Sequence, residues 1–177
     1  MMRYTVVVAL FLLLAACAAP GHIKETVSPA DQVRTVSMLP AYVYAEGKIG
    51  EGKLRIGLAW SSREPGQMLI TAETWGEPVT IPDQASLTFA IDGATVSLSG
   101  DPAAPTQQRV ESSQYGFITW SSRTYRTDRA FIERIVNAGR VVVRLETDKG
   151  GFDGLFSQDR RGSARPAFRK FLNKTGP

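Results

Sequence analysis

Leu87-Thr88-Phe89-Ala90-Ile91-Asp92-Gly93-Ala94-Thr95-Val96-Ser97-Leu98 is the stretch that decides the fold. Two alternating runs flank an Asp-Gly pair, and a two-residue Asp-Gly loop favours a type I′ turn because both central residues must take positive φ. The turn fixes a register in which Ile91 opposes Ala94, Phe89 opposes Val96 and Leu87 opposes Leu98, while Thr88 meets Ser97 and Ala90 meets Thr95. Every large apolar side chain then falls on one face, whereas a slip of one residue scatters them onto both. The stretch is therefore predicted to be a β-hairpin with one buried face.

Working toward the N-terminus, Met68 to Trp75 forms a strand pattern with Met68, Ile70 and Ala72 on one side, preceded by a turn at Pro65-Gly66. Leu54, Ile56, Leu58 and Trp60 share the face of another strand, and Ala41 to Ala45 precedes it across a glycine-rich turn over 46–53. Toward the C-terminus, Asp101 to Thr106 carries Pro102 and Pro105 and interrupts the ladder. Gly116 to Tyr125 resumes β character. Thr127 or Asp128 can cap a helix striped by Phe131, Ile132, Ile135 and Val136 and closed by Asn137 to Gly139. Arg140 to Thr147 is a valine-rich strand, turned by Asp148-Lys149-Gly150-Gly151 toward Phe152 to Phe156, and a second helix follows a cap at Ser163, with Phe168, Phe171 and Leu172 on one side. Closely spaced strands with late helices predict a mainly β (α+β) fold, an antiparallel β-sandwich or half-open barrel with one or two helices packed on it near the C-terminus.

The chain opens with Arg3, an apolar run from Val6 to Leu14, and Leu14-Ala15-Ala16-Cys17, the layout of a secretory signal. A membrane-spanning helix needs about 20 apolar residues, and Pro20-Gly21-His22 ends this run early. Cys17 is the only cysteine. These four residues resemble the lipobox of bacterial lipoproteins. The resemblance implies that residues 1–16 are a signal peptide cut before Cys17, that the thiol takes a diacylglyceryl group, and that the new amine is acylated. Each buried methylene contributes about 0.8 kcal/mol and two or more chains anchor stably, so the three chains implied for Cys17 hold the protein on a membrane. Ala18 stands where an aspartate retains lipoproteins at the inner membrane in enterobacteria-like systems, which points to the periplasmic face of the outer membrane. Residues 17–35 contain Pro20, Gly21 and Pro29 without periodicity and predict a lipidated N-terminus and flexible tether, leaving 36–177 as a single β-rich domain. With its one thiol lipidated, the chain has no disulfide to form.

His22, the only histidine, falls within that tether. Histidine-dependent triads and His/Cys metal or haem sites are thereby excluded from the expectation, and no phosphate loop or dinucleotide motif is present, so no cofactor and no metal are expected. Carboxylates remain. Glu73 with Glu77, or Glu111 with Asp101, can supply an acid and a base for sugar hydrolysis, although turn acids and solvated strand faces produce the same pattern. Asp148 to Gly154 holds two aspartates but lacks the alternate-position ligands of a calcium loop and fits a hairpin turn better. Trp60-Ser61-Ser62-Arg63 recurs as Trp120-Ser121-Ser122-Arg123 without matching flanks, as two unrelated strand ends do. Trp60 and Trp120 are expected in the core. Trp75, beside Gly76-Glu77-Pro78, is a candidate ligand contact. The formal charge is +4, with Arg160, Arg161, Arg165, Arg169, Lys170 and Lys174 crowding the C-terminus beside Asp159. These are candidate contacts to anionic headgroups or an acidic partner, or else a solvated helix face. No nucleic-acid motif accompanies them.

Outer-membrane lipocalins are similar in size, lipidation and late helix, but Gly57-Leu58-Ala59-Trp60 is one residue longer than their Gly-x-Trp. Residues 78 to 172 are similar in layout to the invasion-associated locus B proteins, which implies a periplasmic β-sandwich. The usual cysteine pairs of that family are absent, and no site residue carries over. The expectation is a non-enzymatic envelope lipoprotein, a membrane-tethered module binding an envelope protein or cell-wall partner. The alternatives are a lipocalin-like carrier of a lipid or small apolar ligand and a carboxylate-dependent cell-wall hydrolase.

Overall fold

The computed structural model describes residues 19–45, 53–114, 116–157, 159 and 162–176. The segment expected to be a signal, Cys17, Ala18, residues 46–52 where a glycine-rich turn is expected, Arg160 and Arg161 lie outside the described residues. The chain is mainly β. In order it forms β1 (Ile23–Val27), β2 (Arg34–Val43), β3 (Leu54–Ser61), β4 (Gln67–Gly76), β5 (Ala85–Ile91), β6 (Ala94–Ser99), β7 (Gln107–Ser113), β8 (Gly116–Asp128), α1 (Arg129–Asn137), β9 (Val141–Thr147), β10 (Gly150–Leu155) and α2 (Ala164–Thr175). A curled six-stranded sheet runs β1-β2-β3-β4-β8-β7 and a four-stranded sheet runs β10-β9-β5-β6, with every strand pair antiparallel.

The β5–β6 hairpin takes the predicted register from Ile91↔Ala94 to Leu87↔Leu98. Asp92 and Gly93 have φ of 47° and 90°, as a type I′ turn requires. The Asp92 carboxylate has a second use, accepting hydrogen bonds from the amides of Gly139 (3.2 Å) and Arg140 (2.7 Å) and so tying the hairpin tip to the start of β9. Between the sheets Ile56, Leu58, Ile70, Phe89, Val143 and Leu145 are buried together with Ile132 and Ile135 of α1 and Phe168 and Phe171 of α2. Phe156 meets Phe168 edge-on with ring centres 5.0 Å apart. Asp128 caps α1 by accepting from the Phe131 amide at 2.7 Å. At the other end of α1 no glycine is used. Arg165 donates to the carbonyl oxygens of Val136, Ala138 and Ser157 instead.

The tether expected over 17–35 is corrected. The Gly21 amide donates to the Leu39 carbonyl (3.1 Å), the Leu39 amide donates to the His22 carbonyl (2.9 Å), and β1 pairs with β2 from Ile23↔Met38 to Val27↔Arg34. An edge strand held by backbone bonds needs no apolar alternation, so its sequence carries no period. Gly21 has φ of 78°, and a Cβ there would lie 2.8 Å from the Cβ of Ala167 on α2, so the chain passes this point only as glycine. The fold thus begins by residue 21 rather than at 36. β7 is the other strand without a sequence signal, and β8 extends past Tyr125 to Asp128.

Candidate functional site

The face of the six-stranded sheet turned away from the core carries an aromatic and charged cluster. Alternation on β3 sends Leu54 and Ile56 inward and leaves Arg55 outward, opposite Glu73 on β4 and Tyr42 on β2. β8 sets Trp120 opposite Trp75 of β4, and β7 sets Arg109 opposite Trp120. Arg55 is ion-paired with Glu73. Its guanidinium carbon stands 3.8 Å from the Trp120 ring centre and 5.6 Å from that of Tyr42, a cation–π arrangement. The Trp120 indole N–H donates to Glu111 at 2.8 Å, and Glu111 is paired with Arg109, whose guanidinium lies 5.7 Å from the same ring. Trp75 is half-buried, its ring centre 6.3 Å from that of Trp120.

Although this face points away from the core, Glu73 is only 6 % and Trp120 only 8 % exposed. Beside them opens a hollow of about 250 Å³ lined by Arg55, Glu73, Arg109 and Glu111, with Pro20, Leu39 and Pro40 as its apolar rim. Its floor offers guanidinium donors next to carboxylate acceptors, and Arg55 Nε is buried there without a hydrogen-bond partner. The lining thus combines an apolar side with both donor and acceptor groups. Both carboxylates are already engaged by arginines.

The other residues singled out from the sequence are dispersed. Glu77 pairs with Lys149 (3.2 Å) and Asp101 with Arg126 (2.8 Å), so neither expected carboxylate pair forms; the hollow joins Glu73 to Glu111 instead. Asp148 accepts from the Thr80 amide and Asp153 pairs with Arg144, which leaves a hairpin turn between β9 and β10. Among the described residues no group of three metal-ligating side chains occurs. Trp60 lies in the core near the end of β3, whereas Trp120 sits within β8 on the opposite face, so the repeated tetrapeptide occupies inequivalent places and Trp120 is buried by Arg55 rather than by the core. Of the basic C-terminal residues described, Arg165 is spent on α1 and Arg169 reaches Asp159 at 3.3 Å, while Lys170 and Lys174 stand exposed on α2.

A second polar cluster is architectural. Arg123, buried at the mouth between the sheets, donates to the Ile81 carbonyl (2.9 Å) and pairs with Asp83 (2.7 Å). Nearby the Tyr125 hydroxyl meets Ser86 Oγ at 2.8 Å. Burial pushes the Tyr125 phenol up to about 12, against the Ser86 hydrogen bond and the Arg123 charge, which pull it down.

In comparisons with known proteins, no family model matches the chain, and no curated protein and no solved structure matches it significantly. Among the described residues no helix is long and apolar enough to cross a membrane.

Proposed function

We propose that the chain is a non-enzymatic envelope lipoprotein, anchored through acyl chains on Cys17 to the periplasmic face of the outer membrane, and that it binds a protein or cell-wall partner through the Arg55–Glu73–Trp120 hollow. The observation that carries this reading is adjacency. Pro20, three residues after Cys17 in the sequence, forms part of the rim of the hollow. Three residues span at most about 10 Å, so lipid on Cys17 keeps the hollow close to the headgroups. The Arg55–Glu73 ion pair, whose side chains are 15 % and 8 % exposed, costs desolvation that an inert sheet surface does not need to bear. A lipocalin-like carrier needs an interior cavity, and here the space between the sheets is occupied by Phe89, Tyr125, Phe156, Phe168 and Phe171.

Two measurements on the full chain test the proposal. Cys17→Ser should move the protein from the membrane fraction to the soluble one, and Leu39→Asp, at a rim residue 44 % exposed, should abolish crosslinking to the envelope partner that the unaltered chain captures. Retention of Cys17→Ser in the membrane, or an unchanged crosslinked partner with Leu39→Asp, refutes the corresponding half.

A further inference from the structure

We infer that β7 is a self-pairing edge, through which two copies of this chain join antiparallel about a two-fold axis at Val110. β7 ends the sheet order at β8-β7, so among the described residues no strand lies against its outer edge. An unpaired edge is a template for another strand, and charges placed on it decide which strand fits. Antiparallel pairing centred on Val110 sets Arg109 opposite Glu111 of the second copy and Glu111 opposite its Arg109, both on the face that carries the hollow. Each residue then exchanges its partner within the strand for one across the axis, directly opposed charges being the stabilising arrangement in a ladder. A slip of two residues sets Glu111 against Glu111 or Arg109 against Arg109, and parallel pairing aligns like with like, so the charges favour one register.

The other face of the hairpin supports the same register. Val110 is 62 % and Phe117 82 % exposed, and since Val110 faces Thr119 while Ser112 faces Phe117, the two are diagonal neighbours on one side. Pairing at Val110 lines up Phe117, Val110, Val110 of the second copy and its Phe117 as one apolar stripe across the axis. The interface is isologous, the same patch serving both copies, and the two sheets become continuous with both hollows opening on the same side.

The experiment uses the full chain in membranes. Val110→Cys places two sulfurs on the axis, within the range of a disulfide, and should give a covalent dimer on a non-reducing gel. Ser112→Cys, opposite Gln108 of the second copy, places its sulfurs roughly 13 Å apart along the strand direction and should stay monomeric. Cys17 is common to both variants, so any crosslink through it appears in both. Added to Val110→Cys, either Arg109→Glu or Glu111→Arg should lower the dimer yield several-fold, and co-producing the two should restore it, because the mixed pair is again complementary. Equal crosslinking of the two cysteine variants, no dimer from Val110→Cys, or no restoration on mixing overturns the inference; loss of folding in one charge variant cannot mimic restoration.

Discussion

Replacing Arg165 by methionine should destabilise the domain itself. Its Nε, Nη2 and Nη1 donate to the carbonyl oxygens of Val136 (3.0 Å), Ala138 (3.0 Å) and Ser157 (3.1 Å). The first two close α1, whose last turn has carbonyls without helical donors and the negative end of a dipole to satisfy. A hydrogen bond from a charged donor contributes about 1.5–3 kcal/mol. Arg165 is only half-buried, and freed carbonyls regain water, so about 1 kcal/mol for each bond is the working figure, or about 3 kcal/mol in all. With a urea slope of about 2 kcal/mol per molar, the unfolding midpoint falls by about 1.5 M. Methionine keeps the apolar stem, so the loss belongs to the guanidinium fork. Arg165→Lys retains the charge, but a point donor cannot span three carbonyls and should recover less than half of the loss. Equilibrium urea unfolding followed by tryptophan fluorescence measures both. A methionine variant within roughly 0.3 M of the unaltered midpoint, or full recovery by lysine, refutes the reasoning.

Arg55→Met strands the Glu73 carboxylate and should cost about 3–5 kcal/mol, whereas Arg55→Met combined with Glu73→Leu should regain most of it; denaturant unfolding of both variants checks the coupling. The raised Tyr125 phenol links stability to alkali. Between an unfolded value of about 10 and the folded value of about 12, the folded chain keeps a proton that the unfolded chain releases. Its contribution is therefore complete below pH ~10 and is lost as pH rises through ~12. Unfolding measured against pH should show this alkaline decline, and Tyr125→Phe should flatten it, with phenolate absorbance confirming that one tyrosine titrates late.

The sequence is most informative where burial imposes a period. The Asp92-Gly93 turn, the inward faces of β3 and β4, the stripes of α1 and α2 and the valine-rich β9 are all legible, because a wrong register would expose apolar surface. β1 and β7 are not, since their strands are held by backbone ladders at sheet edges where any polar residue serves. The hollow is illegible for a different reason. Glu73 and Glu111 stand out individually as carboxylates, but only the pairing of β4 with β8, and of β8 with β7, brings them beside Trp120 and Arg55, and alternation says nothing about which strands are neighbours. Arg165 shows the converse error: in one dimension it belongs to a basic cluster, in three it is a clamp on α1.

The pairing of β4 with β8 also governs how this chain can be made. β4 has β3 beside it almost at once, but its other side stays bare until residues as far as Asp128 have been supplied. At about 5–20 residues per second, that wait lasts about 3–10 s. Meanwhile Met68-Leu69-Ile70-Thr71-Ala72 offers an uncharged, β-prone border to any other nascent copy. During that interval, completing the sheet competes with pairing between copies, a hazard separate from how firmly the finished domain stands.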